Sequence, residues 1–444
     1  MNLNVDAAII GAGISGLSAA WQLQKLGIKS FVVLEARSRV GGRTFSELIG
    51  TDTYVEQGGT WAGLSHREFL ALASELGIAT KPGQRAGDFL FKIGDRWTTL
   101  EAPDAFSSNA ARQDFEQVLS RFETLRRSLP QAAPWSAEDA EGLDALTMQD
   151  WIEQNTTTME GRAWFTGITR QTISGDLRQV SLLWMLHFFN TTGDVFLGLN
   201  VDAEGIRFVG GSQQLSLKLA ERLGNQIWLD APVRQIAGYD SSQVQIMSDR
   251  GTVRAKTAIV AMMPKDVKSI EFQPLLPILH RQLIDEWRTM SWAKFYAFYE
   301  KPFWQSQTTG SHFLDETTRF DVYDVSPDDG SQGILVGLLS PDYASLSAPE
   351  RKACCLNFLA EICGDAARRP QNFVEFDWNR QAWTGGCITA LPLGVFSKIG
   401  SALNQPVGCV YWAGTERSLV WTNYIEGAIR SGQQAADQIA AQLR

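Results

Sequence analysis

Cysteine is scarce in this sequence and unevenly placed. The five thiols, Cys354, Cys355, Cys363, Cys387 and Cys409, are odd in number and confined to the last hundred or so positions. That excludes a disulfide framework and points to a reducing, cytoplasmic setting. Histidine is scarcer still: His66, His187, His280 and His312 have no metal-ligand spacing with one another or with the thiols, so no metal is assigned. Clusters of cations are missing too. A net charge of −9 without any Lys/Arg block removes nucleic acid from the partners to consider. No apolar run reaches the roughly 18 residues of a membrane span, and the polar helical pattern QQAADQIAAQLR comes last, so no membrane partner is expected.

What is present is a globular composition, 44% apolar and 20% charged, in 444 residues. That length exceeds what one core sustains and implies about two domains. The opening stretch AAIIGAGISGLSAAW lacks the basic start of a signal peptide and is broken by glycine at turn spacing, so it belongs to the fold. AAIIGAGISGLSAAWQLQKLGIKSFVVLEAR reads as strand, tight turn, amphipathic helix and second strand. Gly11, Gly13 and Gly16 fit GxGxxG: the first for the turn, the second for close approach of a pyrophosphate, the third for helix-on-strand packing. Glu35 ends the second strand at the spacing of an acid that takes ribose hydroxyls. Dinucleotide binding follows.

ARSRVGGRT comes next, with Arg37, Gly41, Gly42 and Arg43 forming a second Gly-plus-Arg loop. This EARxRxGGRxxS pattern resembles the flavin-containing amine oxidase superfamily, where it contacts FAD. Further stretches resemble the monoamine oxidase branch in the expected order: EQGGTWAG (Glu56–Gly63), RFVGGSQQLSLKLAERLG, the strand-rich segment with Val233, and VYWAGTERSLVWTNYIEGAIRSGQQAADQI. The second of these carries a helix legible by itself, with Ser212 as N-cap, Leu215, Leu219 and Leu223 on one face, and Gly224 as terminator. In the last, Ile425, Ala428, Ile429, Gly432, Ala436 and Ile439 lie on one side of a helix that starts near Tyr424.

The resemblance implies an α/β fold in which a Rossmann-like FAD-binding domain is interleaved with an α+β substrate domain. The cofactor motifs set the division at 1–85, 205–280 and 390–444 against 86–204 and 281–389. Within the substrate domain, Phe115, Val118, Leu119, Phe122 and Leu125 repeat at helical spacing, Thr147 caps a helix, and PQAAPW (Pro130–Trp135) reads as a loop or mobile segment. As cofactor contacts the resemblance implies Gly11, Gly13, Gly16, Glu35, Ala36, Arg37, Gly42, Arg43, Gly58, Gly59, Thr60, Trp61, Val233, Cys387, Gly414, Thr415, Glu416, Tyr424 and Ile425.

Taken alone, Lys294 in SWAKFYAFYEKPFW is an edge-strand lysine reaching solvent. The resemblance instead makes it the catalytic lysine that holds a water against the flavin. It also makes Tyr424 one of two rings flanking the amine. The other ring falls where Ile388 stands, so half the cage is absent, and Trp421 or Trp61 would replace it only if the fold brings them there. Cys387, in WTGGCIT, coincides with the cysteine that some relatives join to the flavin and many bacterial ones do not; both states stay open.

The implied chemistry is oxidation of a primary or secondary amine to an imine, with O2 reduced to hydrogen peroxide. An L-amino-acid oxidase would need an arginine for the carboxylate. Arg67 reads as outward-facing, while Arg112, Arg170 and Arg178 stay available from the substrate domain. A dehydrogenase using a protein acceptor and a non-catalytic binding protein like the Rab GDP dissociation inhibitors are the alternatives. A homodimer is left open.

Overall fold

The computed structural model describes all residues except 1, 50–52, 84–85, 174, 193–202, 291–292, 316–319, 340, 344 and 444, and only the backbone of 53, 171 and 341. The first strand, β1 (Asn2–Ile10), ends in the fully buried run Ala7–Ile10. Such a run suits a strand covered on both faces. It pairs in parallel with β2 (Phe31–Leu34) on one side and with the strand Gly251–Ala261 on the other. Between β1 and β2 runs α1 (Ile14–Lys25), whose outer neighbour is the last helix, Ile425–Leu443. Gly432 makes that contact possible, since a Cβ there would sit 2.1 Å from the Ser15 carbonyl oxygen.

Among the described residues this sheet has eight strands. The long strand Gly251–Ala261 pairs antiparallel with Val244–Ser248 along its first half and parallel with Val410–Ala413 along its second. A second, seven-stranded sheet runs in the order Asn372–Asp377, Ala293–Tyr299, Gly333–Leu339, Phe320–Asp324, Gly310–Asp315, Asp88–Ile93 and Arg96–Thr98. The strand carrying Lys294 is therefore interior, bonded on both sides, and not an edge strand.

Helices Asn109–Ser128, Met148–Asn155, Met159–Gln171 and Leu182–Thr191 pack beside this sheet. The last of them, LLWMLHFFNT, is buried almost all round, as its apolar sequence requires. Phe122 lies edge-on to the rings of Trp151, Phe165 and Phe189. Removing it costs about 3–5 kcal/mol, by the rule for large core side chains. Thr147 accepts a hydrogen bond from Asp150 N as an N-cap.

One local expectation holds in part and another changes. PQAAPW is a loop over residues 130–133 and then enters the 3-10 turn Pro134–Ser136, in which Trp135 packs edge-on against Phe396. Ser212 precedes the helix Gln213–Leu223, but its hydroxyl donates to the Gly59 carbonyl rather than capping the helix. Among the described residues no helix is long and apolar enough to cross a membrane, and no group of three His, Cys, Asp or Glu is placed to hold a metal ion.

Candidate active site

The glycine turn after β1 opens a groove of about 1180 Å³, solvent at its mouth included. Gly11 has φ +104°, and a Cβ on it would lie 2.7 Å from the Ala261 carbonyl oxygen. A Cβ on Gly16 would lie 2.0 Å from the Gly11 oxygen, so this residue packs helix on strand and does not line the groove. Gly13 differs: the nearest atom to its Cβ position is 3.9 Å away, which leaves room for a ligand backbone. No side chain caps α1, so its first N–H groups are free for an anion.

Glu35 lines the groove and also fastens it, accepting from Ala12 N at 2.8 Å and Arg37 N at 2.9 Å. Ala36, Arg37, Gly42 and Arg43 continue the wall, and Val233, Gly414 and Thr415 complete it from other strands. Arg37 donates to the Ala382 carbonyl and the Thr384 hydroxyl. Arg43 meets the fully buried Glu416 carboxylate at 2.5 Å, so Glu416 stands behind the wall. Burial alone would lower the Arg43 pKa, and Glu416 more than reverses this. An uncapped helix N-terminus, an open Gly13 and two arginines in the wall suit a dinucleotide carrying two phosphates.

A second, front cavity of about 960 Å³, solvent at its mouth included, meets the groove at Gly59, Cys387, Asn423, Tyr424 and Ile425, which line both. Gly58, Thr60, Trp61, Lys294 and Ile388 belong to the front cavity alone. Lys294, 2% exposed, donates to the Glu56 and Gly58 carbonyls at 2.9 Å and to Thr60 Oγ1 at 2.6 Å. As an ammonium it therefore directs three N–H groups at protein acceptors. Burial pushes Lys294 down to about 7, against the pull of Glu56. Its Nζ also sits 4.8 Å from the centre of the Trp61 ring.

Tyr424 precedes the last helix, and burial, then Glu204, raises its hydroxyl well above the usual range. Trp421 lines neither cavity. It stands behind Tyr424, edge-on at 5.0 Å, with His66 on it at 4.2 Å, so it supports the ring and does not replace the missing one. Trp61, by contrast, is in the cavity, 4.9 Å from Tyr323. Ile388 adopts φ +52°, rare for a β-branched residue. Burial raises the Cys387 thiol, and Arg43 partly opposes this.

Sequence reasoning missed Glu204, Asp321, Tyr323 and Asn423 in this cavity. Asn423, at φ +67°, clasps the backbone of Thr389 through both N and O. An Asn that tolerates the left-handed region was a faint signal; the acids gave none.

Residues 14–440 match the family described as flavin containing amine oxidoreductase. Cyclohexylamine oxidase from Brevibacterium oxydans IH-35A superposes with a TM-score of 0.92 at 31% identity, over 99% of each chain. A flavin-containing amine oxidase of Oncorhynchus mykiss is 31% identical, covering 99% of this chain and 86% of that one. An L-amino acid dehydrogenase of Synechocystis is 32% identical, covering 99% and 95%. With the match running from the first helix almost to the end of the last, the chain belongs to the flavin containing amine oxidoreductases and is an FAD-dependent enzyme of amine oxidation.

Proposed function

We propose that this chain oxidises a small primary or secondary amine in the front cavity to an imine, which water hydrolyses, and passes the electrons to O2 to give hydrogen peroxide. One observation carries the reading: the dinucleotide groove and the front cavity share a wall at Cys387, Tyr424 and Ile425. Bound FAD supplies the acceptor for a hydride equivalent from the carbon next to nitrogen.

The chain's own residues do the rest. Gly11, Gly13, Glu35, Ala36, Arg37, Gly42, Arg43, Val233, Gly414 and Thr415 hold the cofactor, with Gly16 and Glu416 bracing them from behind. Tyr424 and Ile388 orient the amine and exclude water. Lys294 acts toward O2 as a positive charge fixed at the cavity wall by its three protein acceptors. A fixed cation beside developing negative charge is the pattern of electrostatic catalysis. The cofactor half comprises 1–85, 205–280 and 390–444 and the substrate half 86–204 and 281–389. A cytoplasmic location fits five free thiols.

An amine is favoured over an α-amino acid. Among the described residues no arginine lines the front cavity, and the acids Glu204 and Asp321 do. Arg67 is exposed, Arg112 lies over the Phe106 ring at 4.9 Å, and Arg178 pairs with Asp176 at 2.9 Å. The relative described as an L-amino acid dehydrogenase keeps the second reading in play.

Anaerobic titration of the flavin spectrum with a panel of amines and L-amino acids, followed by air and a peroxide assay, tests this. Bleaching by amines and peroxide on reoxidation are expected. Bleaching by amino acids alone would replace the substrate class. A bleached flavin inert to oxygen would make the enzyme a dehydrogenase. A protein that refuses FAD would make it a binding protein.

A further inference from the structure

Glu204 has no part in the reaction as described so far, yet it lines the front cavity with Lys294 and Tyr424. Its Oε2 is shielded from solvent and has no hydrogen-bond partner. The titratable groups that face it come from three elements: Lys294 from the strand Ala293–Tyr299, Asp321 and Tyr323 from the strand Phe320–Asp324, and Tyr424 before the last helix. Lys294 and Asp321 are engaged elsewhere, and the Tyr323 hydroxyl lies between Asp321 and Glu204, hydrogen-bonding with both. Asp321 accepts from the Tyr323 hydroxyl at 3.0 Å and from His312 Nε2. Lys294 donates to the Glu56 and Gly58 carbonyls and to Thr60 Oγ1. Among the described residues, nothing in the protein satisfies Glu204 Oε2.

A carboxylate left this way is costly when ionised. The cavity it lines is also where an amine, cationic in water, has to arrive. We propose that Glu204 docks the substrate's ammonium and accepts its proton before oxidation, a role that rests on the amine-oxidation reading. In this step the ammonium pairs with the carboxylate, one N–H bond breaks, and one O–H bond forms on Glu204. No electrons change hands. The products are a neutral amine and a neutral acid, which spares a dry cavity the desolvation of two ions. The freed lone pair on nitrogen is what the α-carbon needs in order to lose a hydride equivalent.

Burial and then Asp321 push the Glu204 carboxyl up to about 8, with Tyr323 and Lys294 opposing. That brings it nearer to an ammonium and lessens the mismatch in proton affinity that a general base must overcome.

Cumylamine, the benzylamine analogue without an α-hydrogen, has no hydride equivalent to lose, so it separates docking from turnover. Its Kd is measured from the perturbation of the flavin spectrum in FAD-loaded wild type, Glu204→Gln and Glu204→Asp, between about pH 8 and 9, the upper side of the raised carboxyl. Wild type is expected to bind with a nearly constant Kd. In Glu204→Gln the Kd rises about 10- to 100-fold at the lower pH, the value of one charge-assisted hydrogen bond. It then falls about tenfold per pH unit, because only the neutral amine is accepted. Glu204→Asp recovers part of the loss, and flavin content shows whether each variant is folded.

A Glu204→Gln protein with the wild-type Kd and the wild-type pH profile overturns the proposal. If cumylamine docks through Glu204 while no amine bleaches the wild-type flavin, the amine-oxidation reading falls and the docking site stands.

Discussion

The cofactor groove and the front cavity share a wall but are built by opposite means. The groove rests on backbone at its centre: Gly11 and Gly41, where a Cβ would strike a carbonyl oxygen, an open Gly13, a helix end without a side-chain cap, and arginines locked by carbonyls or a buried acid. The front cavity is largely side chains, brought from Gln57–Trp61, Ala203–Glu204, Lys294, Asp321 and Tyr323, and Cys387–Ile388. A surface made of backbone depends on a short run of residues in one order and tolerates almost no change within it. A surface made of side chains can be rewritten one position at a time, which is how one scaffold serves different amines.

The largest effect should come from breaking the groove. Gly16→Ala drives a methyl against the Gly11 carbonyl, 2.0 Å away, where neither partner is a flexible side-chain end. The expected loss is about 3 kcal/mol, the upper range for overpacking. It would be seen as a lowered Tm together with little flavin per mole of protein.

Next comes Lys294→Met, which should leave anaerobic bleaching by amine within a few-fold of wild type and slow reoxidation by O2 about a hundredfold, the scale of losing one electrostatic contact. In wild type the reoxidation rate falls as pH rises through about 7, where Lys294 loses its charge; in Lys294→Met that limb is flat. Stopped-flow mixing with aerated buffer at several pH values separates the two. Because the folded pKa lies below the ordinary 10.5, the unfolded chain binds more protons between those values. This group's contribution to stability therefore rises with pH across that window.

A smaller effect is expected at the cavity wall. Ile388→Tyr supplies the ring that the family resemblance places there. It should raise kcat/KM for benzylamine relative to cyclohexylamine about 2- to 10-fold, the value of one aromatic contact. An unchanged ratio would mean that the ring cannot turn toward the amine from this backbone. The smallest effect is at Cys387. With its thiol raised by burial, the nucleophilic thiolate is disfavoured. Acid precipitation should therefore leave the yellow colour in the supernatant, and Cys387→Ala should retain FAD. A yellow pellet from wild type would show a covalent bond instead.

The same contrast explains what could be read beforehand. The βαβ unit, the Gly-plus-Arg loop and the last helix were legible because their signals are local: Gly11, Gly13 and Gly16 stand within six positions, and Glu35 closes the second strand. The helical core of the substrate half was legible for the same reason, from the spacing of Phe115, Val118 and Phe122. Lys294 was placed only through its resemblance, since its own strand looked like an edge until Asn372–Asp377 and Gly333–Leu339 were seen on either side. Glu204 and Asp321 left no trace, because a lone acid in a polar stretch is indistinguishable from a solvated one until distant strands close over it. Trp421 misled for a related reason: one residue of offset near a turn decides whether a ring faces the cavity or the residue behind it.

The contact between Gly432 and Ser15 joins the first helix to the last. Its consequence lies in the order of events during synthesis. β1 can pair early with β2, but its other neighbour, Gly251–Ala261, comes more than 200 positions later, and the strand Val410–Ala413 and the helix Ile425–Leu443 come later still. Contacts so remote in sequence form slowly, and what they will cover stays exposed in the meantime. The glycine turn precedes in sequence nearly every element that encloses it, so it waits for Gly251–Ala261, Val410–Ala413 and Ile425–Leu443 before it has a groove to line.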